Sequence, residues 1–247
     1  MKLSIFLAII ISLSAVPAQA GATIGLGYAT GVSPYKGYDT KQAVLPWVSY
    51  ENDYFYLRGL SLGLKLYDRD SLELSAFLAY DPQRFKSSDS SDRQLKRLKN
   101  RSDGFLAGGR AMFNHQVGIF SASLAGDISD HSRGFAGQFS YAKPFDLDPF
   151  TLTPVVGLYW ASDQYNDYYY GVSRQEAAAS GLPAYQAEAS VSPFGALKAD
   201  LALGEEKRFG IFAQAEVIFL ASTIKDSPMV DRSTSVGFST GFRYSFR

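Results

Sequence analysis

Two histidines, His115 and His131, and no cysteine are available for chemistry in this chain of 247 residues. A serine nucleophile needs a base within hydrogen-bond reach. On a strand that means a Ser and a His two residues apart, so that both project from one face. Ser132 follows His131 directly and would point to the opposite face, while the second residue after His115 is Val117, in an expected turn. The spacing argues against Ser-His hydrolysis. The lack of cysteine excludes thiol catalysis, disulfides and thiolate metal centres. Two isolated histidines do not make a zinc site, and the acidic turn Asp226 to Asp231 would hold calcium loosely at best. No enzyme activity, cofactor or metal is expected.

The charges suggest contact instead. Arg58, Lys65, Glu73, Arg110, Lys198, Asp200, Glu216 and Arg243 each fall on the parity opposite to apolar neighbours. They are candidates for one enclosed polar face, either an internal salt-bridge network or the lining of a narrow channel. The segment Arg84 to Arg101 carries Arg84, Lys86, Arg93, Lys96, Arg97, Lys99 and Arg101 against Asp89 and Asp92. It reads as a solvated loop whose cations could pair with lipopolysaccharide phosphates. The segment 162–187 offers Tyr168, Tyr169, Tyr170, Arg174, Glu176 and Tyr185 as candidate binding residues, because tyrosine buries area at low entropic cost. Within it Ser173 and Glu176 form a capping box, and Gly181 then Pro183 a stop signal. That pattern predicts a short helix over 174–180 and a folded loop, either a plug or a recognition surface.

Strands must position these groups. Phe238, Phe242, Tyr244 and Phe246 share one parity at the end of the chain, with Ser, Gly and Arg on the other. A strand with that pattern has an aromatic face and a wet face. Leu60, Leu62, Leu64 and Leu66, then Leu72, Leu74, Ala76, Leu78 and Tyr80, alternate on either side of a turn at 68–71 and predict a hairpin. Further strands are expected near 103–113, 117–127, 133–143, 150–161, 189–203, 208–220 and 233–246. Short turns at 51–53, 68–71, 114–116, 144–149 and 204–207 contrast with long connections at 81–101, 162–187 and 221–232. Short turns on one rim and long loops on the other suit an outer-membrane barrel.

The chain's beginning agrees. Met1-Lys2, the apolar run Leu3 to Val16 and Ala18-Gln19-Ala20 read as a signal peptide over 1–20, cleaved after Ala20. The barrel would then be one domain over 21–247. Without Lys2 the chain carries 23 basic and 24 acidic residues, which gives no global attraction to nucleic acid. Aromatics at 15% and 22 glycines suit girdled strands and tight turns. Counting 54–67 as one strand gives eleven, an odd number. The apolar parity flips between Leu57 and Leu60, which requires a bulge or a turn near Arg58-Gly59; a turn is expected, giving twelve antiparallel strands. Ten is the alternative if a short segment is only a loop, and a periplasmic β-sandwich is the soluble alternative.

Several stretches resemble the MipA/OmpV family of Gram-negative outer-membrane proteins. They are Tyr168-Tyr169-Tyr170-Gly171-Val172-Ser173 with Glu176-Ala177, Ser180-Gly181-Leu182 and Tyr185, then Pro34 to Asp39, Phe55 to Gly59, and Asp226 to Asp231. The resemblance covers essentially the whole mature chain. It implies a non-enzymatic barrel with no active-site residues to carry over. It also implies a scaffold role in cell-envelope peptidoglycan remodelling, with a lytic transglycosylase and a bifunctional penicillin-binding protein as partners. Other members are associated with uptake of small compounds, osmotic response or adhesion. Arg247 after Phe246 departs from the usual aromatic last residue.

Overall fold

Side-chain alternation is converted directly into two faces. In the last strand, β13 (Thr234–Phe246), Val236, Phe238, Phe242 and Phe246 are exposed, whereas Ser235, Gly237 and Gly241 are buried. The same division holds in β4 (Ser61–Arg69), where Leu62, Leu64 and Leu66 face out and Ser61 and Gly63 face in. A band of exposed Leu, Val and Phe is stable only against lipid.

The computed structural model describes residues 21–246; the candidate signal peptide and Arg247 lie outside the described residues. After β1 (Gly21–Val32) come β2 (Lys41–Glu51), β3 (Phe55–Arg58), β4, β5 (Leu72–Asp81), β6 (Gly104–His115) and β7 (Gly118–Asp127). Next are β8 (Phe135–Ala142), β9 (Phe145–Leu147), β10 (Phe150–Ala161), β11 (Ser190–Leu203), β12 (Phe209–Phe219) and β13. Consecutive strands pair antiparallel apart from β8 and β9, and β13 returns to β1 with Phe246 opposite Ala22. The sheet closes, so it has no terminal edge. Both β8 and β9 pair with β10, from Val155 upward and Leu152 downward respectively. They are one strand interrupted at Lys143-Pro144, and the barrel has twelve strands. The expected turn falls at Gly59-Leu60, where Gly59 takes φ 62° and β3 folds back on β4.

Proline marks where the ladder is incomplete, since it has no N–H to pair. Pro154 stands at the break between β8 and β9. Pro193 lies just above the first β11–β12 pair, Phe194 with Ile218. Pro46 sits in β2, which pairs with β3 only over residues 49–51.

One rim carries turns of two to five residues, at 52–54, 70–71, 116–117, 148–149 and 204–208. His115 is the last residue of β6, not a turn residue. The other rim carries the segments 33–40, 82–103, 162–189 and 220–233. These fold together over the mouth, with three short helices: α1 (Asp163–Tyr170), α2 (Arg174–Ser180) and α3 (Ser222–Lys225).

Candidate functional site: a capped and filled lumen

Ser162 starts the cap. Its side chain accepts a hydrogen bond from the Tyr165 backbone, and the helix it begins places Tyr165 and Tyr169 four residues apart on one face. That face turns down into the mouth. In α2 the capping box between Ser173 and Glu176 is formed, and Gly181 closes the helix in the left-handed conformation at φ 76°. Between and around these helices lies a core of Tyr35, Phe85, Leu95, Tyr169, Val172 and Met229, all nearly inaccessible. Tyr35 donates to the Tyr169 carbonyl at 2.9 Å, and Tyr165 donates to Asp81 at 2.7 Å, which fastens the cap to the end of β5. Burial pushes the phenols of Tyr35, Tyr165, Tyr169 and Tyr170 up, so they stay neutral.

One ion pair clips the cap together. Arg101 donates from Nη2 to both Glu176 oxygens at 2.9 and 3.1 Å, from Nε to the Tyr168 carbonyl at 2.6 Å and from Nη1 to the Lys99 carbonyl at 2.7 Å. Both side chains are under 10% exposed. Burial raises the Glu176 pKa, but hydrogen bonds from Ser173 and Lys99 and the Arg101 charge outweigh it and hold the carboxyl below its ordinary value.

The cap bears on two expectations about the loops. The segment 162–187 packs inward, with Tyr169 and Tyr170 buried and the Tyr185 hydroxyl engaged by the Thr223 carbonyl at 2.7 Å, while Tyr168, Arg174, Glu176 and Tyr185 line a second hollow. The Tyr168 hydroxyl accepts from the Ser102 backbone at 2.8 Å, and Arg174 alone of the six is fully exposed. Sequence reasoning missed α1 because three consecutive tyrosines look like loop, although Ser162 was a readable N-cap. The segment 84–101 is not a solvated loop either. Phe85, Leu95 and Leu98 anchor it, Arg101 is internal, and Arg93, Lys96, Arg97 and Lys99 remain outside.

Beneath the cap lies a cavity of about 220 Å³, bordered by Phe77, Leu106, Tyr159, Ile218, Asp81 and Arg110 among others. Side chains fill the lumen below it. Arg58 is nearly inaccessible and pairs with Glu51 at 2.7 Å and Glu73 at 2.8 Å, while Lys65 reaches Glu51 at 3.0 Å. The Arg58 guanidinium also lies 4.1 Å from the centre of the Tyr56 ring. Arg110 lies over Phe77 at 5.1 Å. On the opposite wall Lys198 has Asp200 and Glu216 as charged neighbours, and Arg243 lies 3.4 Å from Asp200. An apolar cluster of Met112, Ile119, Ala142, Val155 and Phe194 occupies the space between. The lumen candidates therefore all point inward, in two separate groups. Glu51 was missed because it looked like part of a turn; its parity, opposite to Val48 and Tyr50, was the available signal.

A closed twelve-stranded barrel with a lipid-facing apolar band and a packed cap is an integral protein of the bacterial outer membrane. The chain belongs to the family of MltA-interacting protein MipA, whose model matches residues 24–246. It is similar to the MltA-interacting protein of Escherichia coli strain K12, 37% identical over 243 residues that cover 97% of each chain. It is likewise similar to the outer membrane protein YiaT of that strain, 35% identical over 242 residues, 96% of this chain and 98% of the relative. Among solved structures, an outer membrane channel from Pseudomonas putida F1 aligns over 94% of this chain and 98% of its own, with 12% identity and a TM-score of 0.46.

Proposed function

We propose that this barrel works by binding and not by catalysis, as a membrane-embedded scaffold for a lytic transglycosylase, and through it a bifunctional penicillin-binding protein, in cell-wall remodelling. The observation that carries the reading is the similarity over nearly the whole chain to a relative named for its interaction with MltA. The geometry supports it in one respect: a packed cap and a lumen filled by side chains suit a rigid platform better than an open pore. Docking would fall on the short-turn rim, where Tyr54 and Val117 stand well exposed. These turns are small, and standard interfaces bury about 800 Å² per partner, so several turns must contribute together. Photo-crosslinkers at Tyr54 and Val117, with controls at Arg93 and Arg97 on the cap, test this in intact envelopes. Capture of a murein hydrolase or synthase from the rim alone is expected. Capture from neither rim position of a folded barrel would refute the scaffold.

A second reading, uptake of a small solute, rests on the cavity under the cap. Its experimental signature would be ligand-dependent flux with no partner captured at the rim.

A further inference from the structure

Among the described residues, the longest run of strand paired on one side only lies at the seam between β2 and the β3–β4 hairpin. The hairpin β3–β4 is short, and β2 pairs with it only through Ser49, Tyr50 and Glu51. Above that point residues 41–48 of β2 pair with β1 on one side, and among the described residues have no strand on the other. On the far side of the gap, β5 pairs with β4 up to Ala79, and the Tyr80 N–H reaches the Leu60 carbonyl at 3.0 Å. The gap is bounded below by the turn Gly59-Leu60. It is bounded above by the Lys41–Asp89 ion pair at 3.2 Å and the bond from the Tyr38 hydroxyl to the Lys86 carbonyl at 2.7 Å.

This opening lies at membrane depth, because Val44 and Val48 of β2 and Leu60 and Leu62 of the hairpin are all exposed in the lipid-facing direction. Unpaired backbone cannot face hydrocarbon and is tolerated at that depth only where it borders protein or a wet cavity. Pro46, which has no N–H, stands within this unpaired stretch and reduces the number of donors to satisfy. A cavity lies on the inner side: Phe77, Ala79 and Asp81 of β5 border the space under the cap. Ala79 and Tyr80 of β5 stand on the far side of the gap and also border that space, so the gap offers a lateral route towards it.

The chemistry of the cavity selects what would use the route. Its walls are mainly apolar. Asp81 is already engaged by Tyr165. Arg110 makes no ion pair within 4.0 Å among the described residues; its guanidinium lies over the Phe77 and Tyr56 rings at 5.1 and 5.9 Å. A guanidinium with no ion-pair partner beside an apolar chamber suits a carboxylate head on a short apolar body. We propose that the cavity binds small amphipathic carboxylates that enter sideways from the outer leaflet, through the gap between β2 and the β3–β4 hairpin. This goes beyond the scaffold reading and does not depend on it.

The test uses the barrel in lipid nanodiscs with octanoate as probe, and acetate and octanol as controls. Octanoate is expected to bind by calorimetry, more tightly than either control, and Arg110→Gln to weaken it by about tenfold or more, since the charge-assisted hydrogen bonds to the carboxylate are lost. Equal binding of octanol, or an unchanged affinity in Arg110→Gln, would overturn the site. The route is tested separately, because the chain has no cysteine of its own. In Ser123→Cys, at the cavity wall, a membrane-soluble maleimide should label the new thiol, and a sulfonated maleimide should not. Extending the hairpin by two residues on each arm should slow the soluble reagent at least tenfold. Equal labelling by both reagents places the entrance at the aqueous rims and overturns lateral entry, even if the extended hairpin fails to assemble.

Discussion

Replacing Arg101 with Ala should release the cap without dismantling the barrel. The guanidinium satisfies both oxygens of a carboxylate that is itself nearly inaccessible, and it accounts for three further backbone carbonyls, those of Lys99, Tyr168 and Gly171. Removing one partner of a buried ion pair costs about 3–5 kcal/mol, because the other charge is left uncompensated. At about 1.4 kcal/mol per decade, the open population of the cap rises by roughly 10² to 10³-fold or more. Trypsin reads this directly, since Arg93, Lys96, Arg97 and Lys99 are exposed yet held by the buried anchors Leu95 and Leu98. Where opening is fast relative to cleavage, the cleavage rate follows the open population. Cleavage within 93–99 should accelerate by about two orders of magnitude or more, while the heat-modifiable mobility of the barrel stays unchanged. Acceleration of less than threefold, with the barrel intact, would refute the view that this ion pair holds the cap.

Acid should loosen the same cap. The Glu176 carboxyl is held below its ordinary value, so its stabilising contribution is fully present above about pH 4.3 and is lost as pH falls through the lower folded value. Amide exchange of 163–180, corrected for intrinsic rate, should rise over that range in the native barrel and lose this dependence in Glu176→Gln. Gly63→Ala should impair assembly, because a Cβ there would lie 2.2 Å from the fully buried Tyr56 ring; normal yields of heat-modifiable barrel would contradict this. Leu64→Arg puts a charge on the lipid face at a cost of about 2–4 kcal/mol near the midplane, which urea titration in lipid vesicles should register. Tyr35→Phe removes the bond to the Tyr169 carbonyl and should lower cap stability by about 1 kcal/mol, measured by exchange at residues 165–170.

Much of this architecture was legible in the sequence for a physical reason: a two-residue period leaves little freedom in deciding which side chains meet lipid. The parity flip between Leu57 and Leu60 was enough to locate a turn inside the wall. Likewise, inward charges such as Arg58 and Glu73 were recognisable because their neighbours were apolar. What the pattern did not carry was distance across the lumen. Arg58 finds Glu51 through pairing of β2 with β3, and Arg101 finds Glu176 at a sequence separation of 75 residues. Neither partner is implied by local spacing. The role of the long loops was left open between plug and surface for a related reason. Tyrosines and lysines on long loops suit solvent as well as a core, and only the packing of four separate segments buries Tyr169, Phe85 and Met229 together. The shortness of β3 was visible as a turn, but its consequence, an unpaired upper edge on β2, required the register.

A barrel that is occluded and acts through contacts at its surface should not conduct ions. Single-channel recording in planar bilayers tests it most directly. The native protein, verified as folded and inserted, should show no stable conductance steps at moderate voltage, because cap and lumen side chains block ion flow. Reproducible, steady steps from the native barrel would contradict the account and make conduction its function.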